Sequence, residues 1–182
     1  VASIRALKVH SGIFKMTVGK PLDREIEREN LRAVYQGSSN LKKQIENSII
    51  YGVPCVVAIN RFKTDTDKEV ALVKKIALKA GAHSCVISEV FTKGSRGGID
   101  LGKAVIEAAK VKGSFKFLYP SAASIKEKME RIAKTIYGAK AGSYEPLAQA
   151  NVKIYEKLGL GRLPICMAKT HLSLSHDPAL KG

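Results

Sequence analysis

The chain's 182 residues suffice for one domain with a substantial core, and 45% hydrophobic with 26% charged residues is the composition of a folded globular protein. No apolar run has the length of a membrane span, and no leader of basic, apolar and small-residue regions opens the chain, which excludes a spanning helix and a secretory signal within these residues. A net charge of +15 favours phosphates and polyanionic small molecules as ligands, then nucleic acid, unless the lysines simply solvate helix faces.

In chain order, residues 1–4 read as the tail of a strand. Pro21, followed by Asp23 and Glu25, starts a helix that runs to about Val34. Ser38, Ser39 and Asn40 cap a second helix with Leu41, Ile45 and Ile49 at helical spacing, and Gly52 with Pro54 ends it. Residues 53–59 are an apolar run that stops at Asn60-Arg-Phe-Lys-Thr-Asp-Thr66. That is the profile of a buried parallel strand delivering a polar loop to the sheet edge. Asp65 to Asp67 with Glu69 cap the next helix, whose inner face is Val70, Val73, Ile76, Ala77 and Ala80 and which Gly81 closes. Residues 84–87 are a second strand leading into a glycine-rich loop over 88–98. Asp100 opens a helix with Leu101, Val105, Ile106 and Ala109 inward, and residues 115–118 form a third strand. Ser121 or Ser124 starts a helix carrying Ile125, Met129, Ile132 and Ile136. Glu145 or Pro146 starts another, carrying Leu147, Ala150, Ile154 and Leu158. Residues 163–167 are a closing strand before a polar loop.

Strands alternating with helices predict an α/β fold: a parallel sheet with helices on both faces, a Rossmann-like three-layer domain over residues 1–182. The start without Met and the strand-like ends predict a piece of a longer protein. Cys55, Cys85 and Cys166 fit no metal spacing and read as reduced core thiols of an intracellular protein.

Crossover connections put the loops after Ile59, Ile87 and Met167 on one rim, where α/β proteins bind ligands. Phe62 and Phe91 each follow a strand by a few residues in polar company. Two aromatics there either clamp a planar heterocycle or fold back over the sheet edge. Lys93, Gly94, Arg96, Gly97 and Gly98 form either an anion-binding loop or a loop without a ligand, and match neither common phosphate fingerprint. The loop from Lys169 borders a nucleotide or is simply solvated. Its His171 and His176 have no metal-site spacing. Arg5, Lys8 and His10 read as surface charge at a strand end. No nucleophile–base motif is present. On these residues alone, a basic α/β module binding nucleic acid or polyanions stands beside an enzyme reading, and an assembly segment is a third.

Three stretches carry a family resemblance. Val1-Ala-Ser-Ile-Arg-Ala-Leu-Lys-Val-His-Ser-Gly12 is close to V-A-T-[IV]-R-A-L-K-x-[HN]-G-G, departing at Ser3 and at Ser11, where glycine is expected. Gly52 to Phe62 resembles G-V-P-x-V-V-A-I-N-R-F, and Leu163-Pro-Ile-Cys-Met-Ala-Lys-Thr170 resembles L-P-I-C-M-A-K-T. In this order, and from end to end, the chain resembles formate–tetrahydrofolate ligase, also called formyltetrahydrofolate synthetase. Residues 169–176 look closer to the eukaryotic versions, often part of a trifunctional C1-tetrahydrofolate synthase.

The resemblance implies joining of formate to tetrahydrofolate at the expense of ATP with Mg2+, through formyl phosphate, giving 10-formyltetrahydrofolate for one-carbon metabolism and purine biosynthesis. It implies a homo-oligomeric enzyme of the cytoplasm, or alternatively the mitochondrion, with no membrane or nucleic-acid partner and an optional monovalent cation. It assigns Phe62 and Phe91 to an aromatic pair around the folate pterin, Phe91 standing where S-E-V-W-x-K-G usually has Trp. It sets Ala168, Lys169 and Thr170 beside the nucleotide and assigns no catalytic residue. The family's G-K-[ST] phosphate loop is not in these residues. The expectation is therefore the folate-side portion of the ligase, inactive alone, with the rest of the ligase chain as its partner.

Overall fold

Two short parallel strands frame the structure, a computed structural model that describes residues 1–14, 23–168 and 174–175. β1 (Val56–Asn60) and β2 (Ser84–Ser88) pair in register, Val56 with Ser84 through Asn60 with Ser88. Parallel neighbours need a crossover, and the helix Asp67–Lys79 supplies it. Thr66 caps that helix: its hydroxyl accepts from Glu69 N–H while the Glu69 carboxylate accepts from Thr66 N–H. Val70, Val73, Ile76 and Ala77 turn inward as their spacing predicts, and Gly81, at φ +96°, releases the chain toward β2. The domain is thus α/β with a parallel sheet, as the alternation of elements predicts.

Residues 1–4 contribute one bridge, not a strand. Ala2 donates to Ala58 O and accepts from Asn60 N–H, both at 2.8 Å, on the edge of β1 away from β2. Ser3 then caps α1 (Ile4–His10) by accepting from Ala6 N–H. The helix expected from Pro21 reduces to a 3₁₀ turn at Arg24–Glu27 capped by Asp23; Pro21 itself lies outside the described residues. Asn30 caps α2 (Leu31–Ile49), which runs unbroken through Ser38, Ser39 and Asn40. The Ser38 hydroxyl bonds back to Val34 O at 2.6 Å, so a side chain suited to capping is satisfied inside the helix. The crossover helix is α3.

The core lies in the first half of the chain. Ile4 and Leu7 of α1, Val34 and Ile45 of α2, Val57 and Ile59 of β1, Val70 and Val73 of α3 and Cys85 of β2 form one buried cluster.

The second half departs further from expectation. The 88–98 loop is wound into α4 (Val90–Lys93) and a 3₁₀ turn at Gly94–Gly98. α5 (Ile99–Ala109) packs on β2 but buries Ala108, leaving Val105 and Ile106 at least half exposed. The third strand does not form. Ser114 and Lys116 bond instead to Gly52 O and Tyr51 O, leaving Phe117 81% exposed. α6 (Ile125–Thr135) begins at the Ser124 capping box and buries Ile125 and Ile132 as predicted. α7 (Pro146–Lys157) buries Val152, whereas Leu147, Ile154 and the following Leu158 face outward. Residues 163–167 are not a strand. They are held by side chains: Tyr119 Oη accepts from Ile165 N–H at 2.9 Å, and the buried Lys128 ammonium donates to Gly161 O and Leu163 O. Cys85 is buried, but Cys166 is exposed and is no core thiol. Among the described residues no helix is long and apolar enough to cross a membrane.

Candidate ligand-binding rim

The loop after β1 is locked from within. Arg61 N–H donates to Ser88 O, extending the sheet ladder by one bond and setting the loops after β1 and β2 side by side. Phe62 N–H donates to Asp65 Oδ2 at 2.8 Å and Asp65 N–H returns to Phe62 O at 3.1 Å, closing a turn that fixes Phe62 at its first position. Arg61 reaches forward to Asp67 at 2.7 Å. Arg5 stands over the Phe62 ring, 4.6 Å from its centroid.

Beneath this turn lies a buried charge network, and it takes in Lys8, which reads from the sequence as surface charge. Lys8 and Glu69 form an ion pair at 2.6 Å with side chains 1% and 0% exposed. The remaining Lys8 donors go to Ile26 O and Arg28 O, and Glu69 also accepts from Asn30 N–H and Thr66 N–H. Burial alone would raise the Glu69 pKa. The Lys8 ammonium and the two backbone donors outweigh it and hold the carboxyl below its usual range. Asp65 shifts the other way: burial dominates, the nearby Glu69 charge adds to it, and the Phe62 N–H with Lys8 and Arg5 only partly offsets the rise. The signal for Lys8 was its register, since it follows the buried Ile4 by four and Leu7 by one on the inner side of α1. Arg5 stays half exposed beside Phe62, and His10 is half-buried.

On the second loop Phe91 is 85% exposed on α4. Lys93 is engaged with Glu89 at 2.6 Å, while Arg96 is exposed. Gly97 is dictated by a close approach: a Cβ there would sit 2.4 Å from Glu89 O. Gly94 takes φ +58° where α4 gives way to the 3₁₀ turn, and Gly98 precedes α5. The expected third member of the rim is elsewhere. Ile165, Cys166 and Met167 line a cleft of about 660 Å3 with Tyr51, Val53 and Phe115, near the start of β1 and not its end. Ala168 is exposed just beyond; Lys169, Thr170, His171 and His176 lie outside the described residues. Among the described residues no three His, Cys, Asp or Glu side chains gather as a metal site.

A β-α-β unit with an aromatic loop held at the carboxyl end of its strand defines an α/β protein, a class whose ligand sites lie outside the carboxyl ends of the strands. The formate–tetrahydrofolate ligase family model matches residues 1–182. The chain is 52% identical over 180 residues to a formate–tetrahydrofolate ligase of Desulforamulus reducens, covering 99% of this chain and 32% of that protein. It is 48% identical over its full length to the monofunctional C1-tetrahydrofolate synthase, mitochondrial, of Mus musculus, and 46% identical to the C-1-tetrahydrofolate synthase, mitochondrial, of Saccharomyces cerevisiae, covering 19% of each. The chain belongs to the formate–tetrahydrofolate ligase family. It spans about a third of the bacterial relative's length and about a fifth of the eukaryotic ones.

Proposed function

We propose that this chain is the folate-side portion of an ATP-dependent formate–tetrahydrofolate ligase. In the reaction, formate oxygen attacks the γ-phosphorus of ATP, ADP leaves, and formyl phosphate forms. N10 of tetrahydrofolate then attacks the formyl carbon, phosphate leaves, and the N10 proton is released with it, giving 10-formyltetrahydrofolate. The observation that carries this reading is the family match across all 182 residues. The geometry adds support, because Phe62 is fixed on a rim beside the loop that carries Phe91.

In this reading the pterin lies between Phe62 and Phe91, which exclude water from its faces. Ala168, Lys169 and Thr170 border the nucleotide. The 93–98 turn, with Arg96 exposed, offers positive charge to phosphate or to folate carboxylates, and the net charge of +15 raises the local concentration of both. ATP brings Mg2+, for which no ligand is assigned here. The cytoplasm is the proposed compartment; the mitochondrion, its alternative, is the one in the names of the mouse and yeast relatives.

The test is steady-state kinetics of the full ligase carrying Phe62→Ala or Phe91→Ala. Each aromatic face contributes about 0.5–1.5 kcal/mol, so KM for tetrahydrofolate should rise roughly two- to twelve-fold per substitution with KM for ATP unchanged. An unchanged tetrahydrofolate KM in both variants would reject the clamp.

A further inference from the structure

Arg5 covers one face of the ring that the clamp reading places against the pterin. Its guanidinium carbon is 4.6 Å from the Phe62 centroid, inside cation–π range. Nη2 donates to Glu27 Oε1 at 3.0 Å and to Thr64 Oγ1 at 3.3 Å. The guanidinium is therefore tied on one side to the 3₁₀ turn at Arg24–Glu27 and on the other to the loop that bears Phe62. The helix beneath it is anchored in turn, because Lys8 is sealed against Glu69 of α3. A planar ligand arriving on the Arg5 side would have to displace both hydrogen bonds and the stack. Phe62 itself is half-buried, so its ring is not enclosed on every side.

We infer that Arg5 is a positioning residue for tetrahydrofolate: it backs Phe62, holds the ring in one orientation, and directs the pterin to the other face. This rests on the clamp reading and deepens it. A guanidinium suits the role because its plane can lie on an aromatic face while its edge donors reach Glu27 and Thr64. An unbacked phenylalanine in a loop would have to be ordered by the ligand, which weakens binding without touching the chemistry.

The experiment is a double-mutant cycle in the full-length ligase with R5M, F62A and the double variant, reading KM for tetrahydrofolate, KM for ATP and kcat. R5M alone should raise KM for tetrahydrofolate about two- to five-fold, the equivalent of one exposed cation–π contact, with KM for ATP and kcat nearly constant. In the F62A background R5M should add nothing. If R5M raises KM by the same factor with and without Phe62, Arg5 acts on the ligand directly or through its charge, and the inference is overturned. If F62A raises KM and R5M does not, the inference alone fails. If F62A has no effect, the clamp reading fails and takes the inference with it. Thr64→Val removes one tether while leaving α1 intact. Should R5M not fold, T64V is expected to raise the same KM, and an unchanged KM there overturns the proposal.

Discussion

Glu69 serves three elements with one carboxylate: it pairs with Lys8 of α1, accepts from Asn30 at the cap of α2, and closes the capping box of α3. Replacing it with Gln keeps the shape but leaves the Lys8 ammonium buried without a counter-charge, a change that costs about 3–5 kcal/mol at neutral pH. The pH dependence follows from the lowered pKa. The ionised form is favoured in the folded state, so this contribution is present above the unfolded value of 4.5 and is lost as pH falls through the lowered folded value. Urea unfolding of wild type and Glu69→Gln across pH should show a gap that is full at pH 7 and narrows below about 4.5. Asp65 works against this in the same acid range, because a raised folded pKa stabilises the protein at low pH and loses that contribution as pH rises through it. The cysteines give a second test at this scale. Burial pushes the Cys85 thiol up to about 11, with the Cys55 thiol adding to the rise and Lys74 opposing it, whereas Cys166 is exposed. Alkylation at pH 8 followed by peptide mapping should label Cys166 first and leave Cys85 unmodified until the protein unfolds.

At the scale of elements, the contact between α1 and α2 depends on an absent side chain. A Cβ at Gly37 would lie 1.7 Å from Leu7 O and 2.9 Å from Ser11 N, all backbone that cannot rotate away. Gly37→Ala must therefore push α1 off α2, and overpacking of this kind costs about 1–3 kcal/mol despite alanine's better helix propensity. The denaturation midpoint should fall accordingly. The tetrahydrofolate KM should rise with it, because α1 carries both Arg5 and Lys8.

For the whole molecule, apolar surface is distributed unevenly. The buried cluster joins α1 to β2, while α5, α7 and the 115–117 segment expose Val105, Ile106, Leu147, Phe115 and Phe117. The prediction at this scale concerns activity. Phosphoryl transfer needs groups that position and neutralise the ATP phosphates, and these 182 residues contain no G-K-[ST] loop. A polypeptide of these residues alone should give no 10-formyltetrahydrofolate from ATP, formate and tetrahydrofolate. Product formation at a measurable rate would place a working phosphate site within them.

Elements whose signals are local follow from the order of residues alone. The α3 capping box, the inward stripe of Val70, Val73 and Ala77, the glycine exits at 52 and 81, and the two apolar strands are encoded within a few residues. That order also places Phe62 in the loop at the end of β1, since a run of apolar residues ending in polar ones marks that junction. The other features depend on a partner far along the chain. The 115–118 and 163–167 stretches have strand composition, yet a strand forms only where a neighbour offers its edge. Here the Tyr51–Gly52 backbone and the side chains of Tyr119 and Lys128 take their polar groups instead. Lys8 reads as surface charge because lysine is rarely buried, and Lys128 carries no local signal that sets it apart. A carboxylate 61 positions away and two carbonyls over 30 positions away make the burial of each tolerable, and no local pattern records those distances.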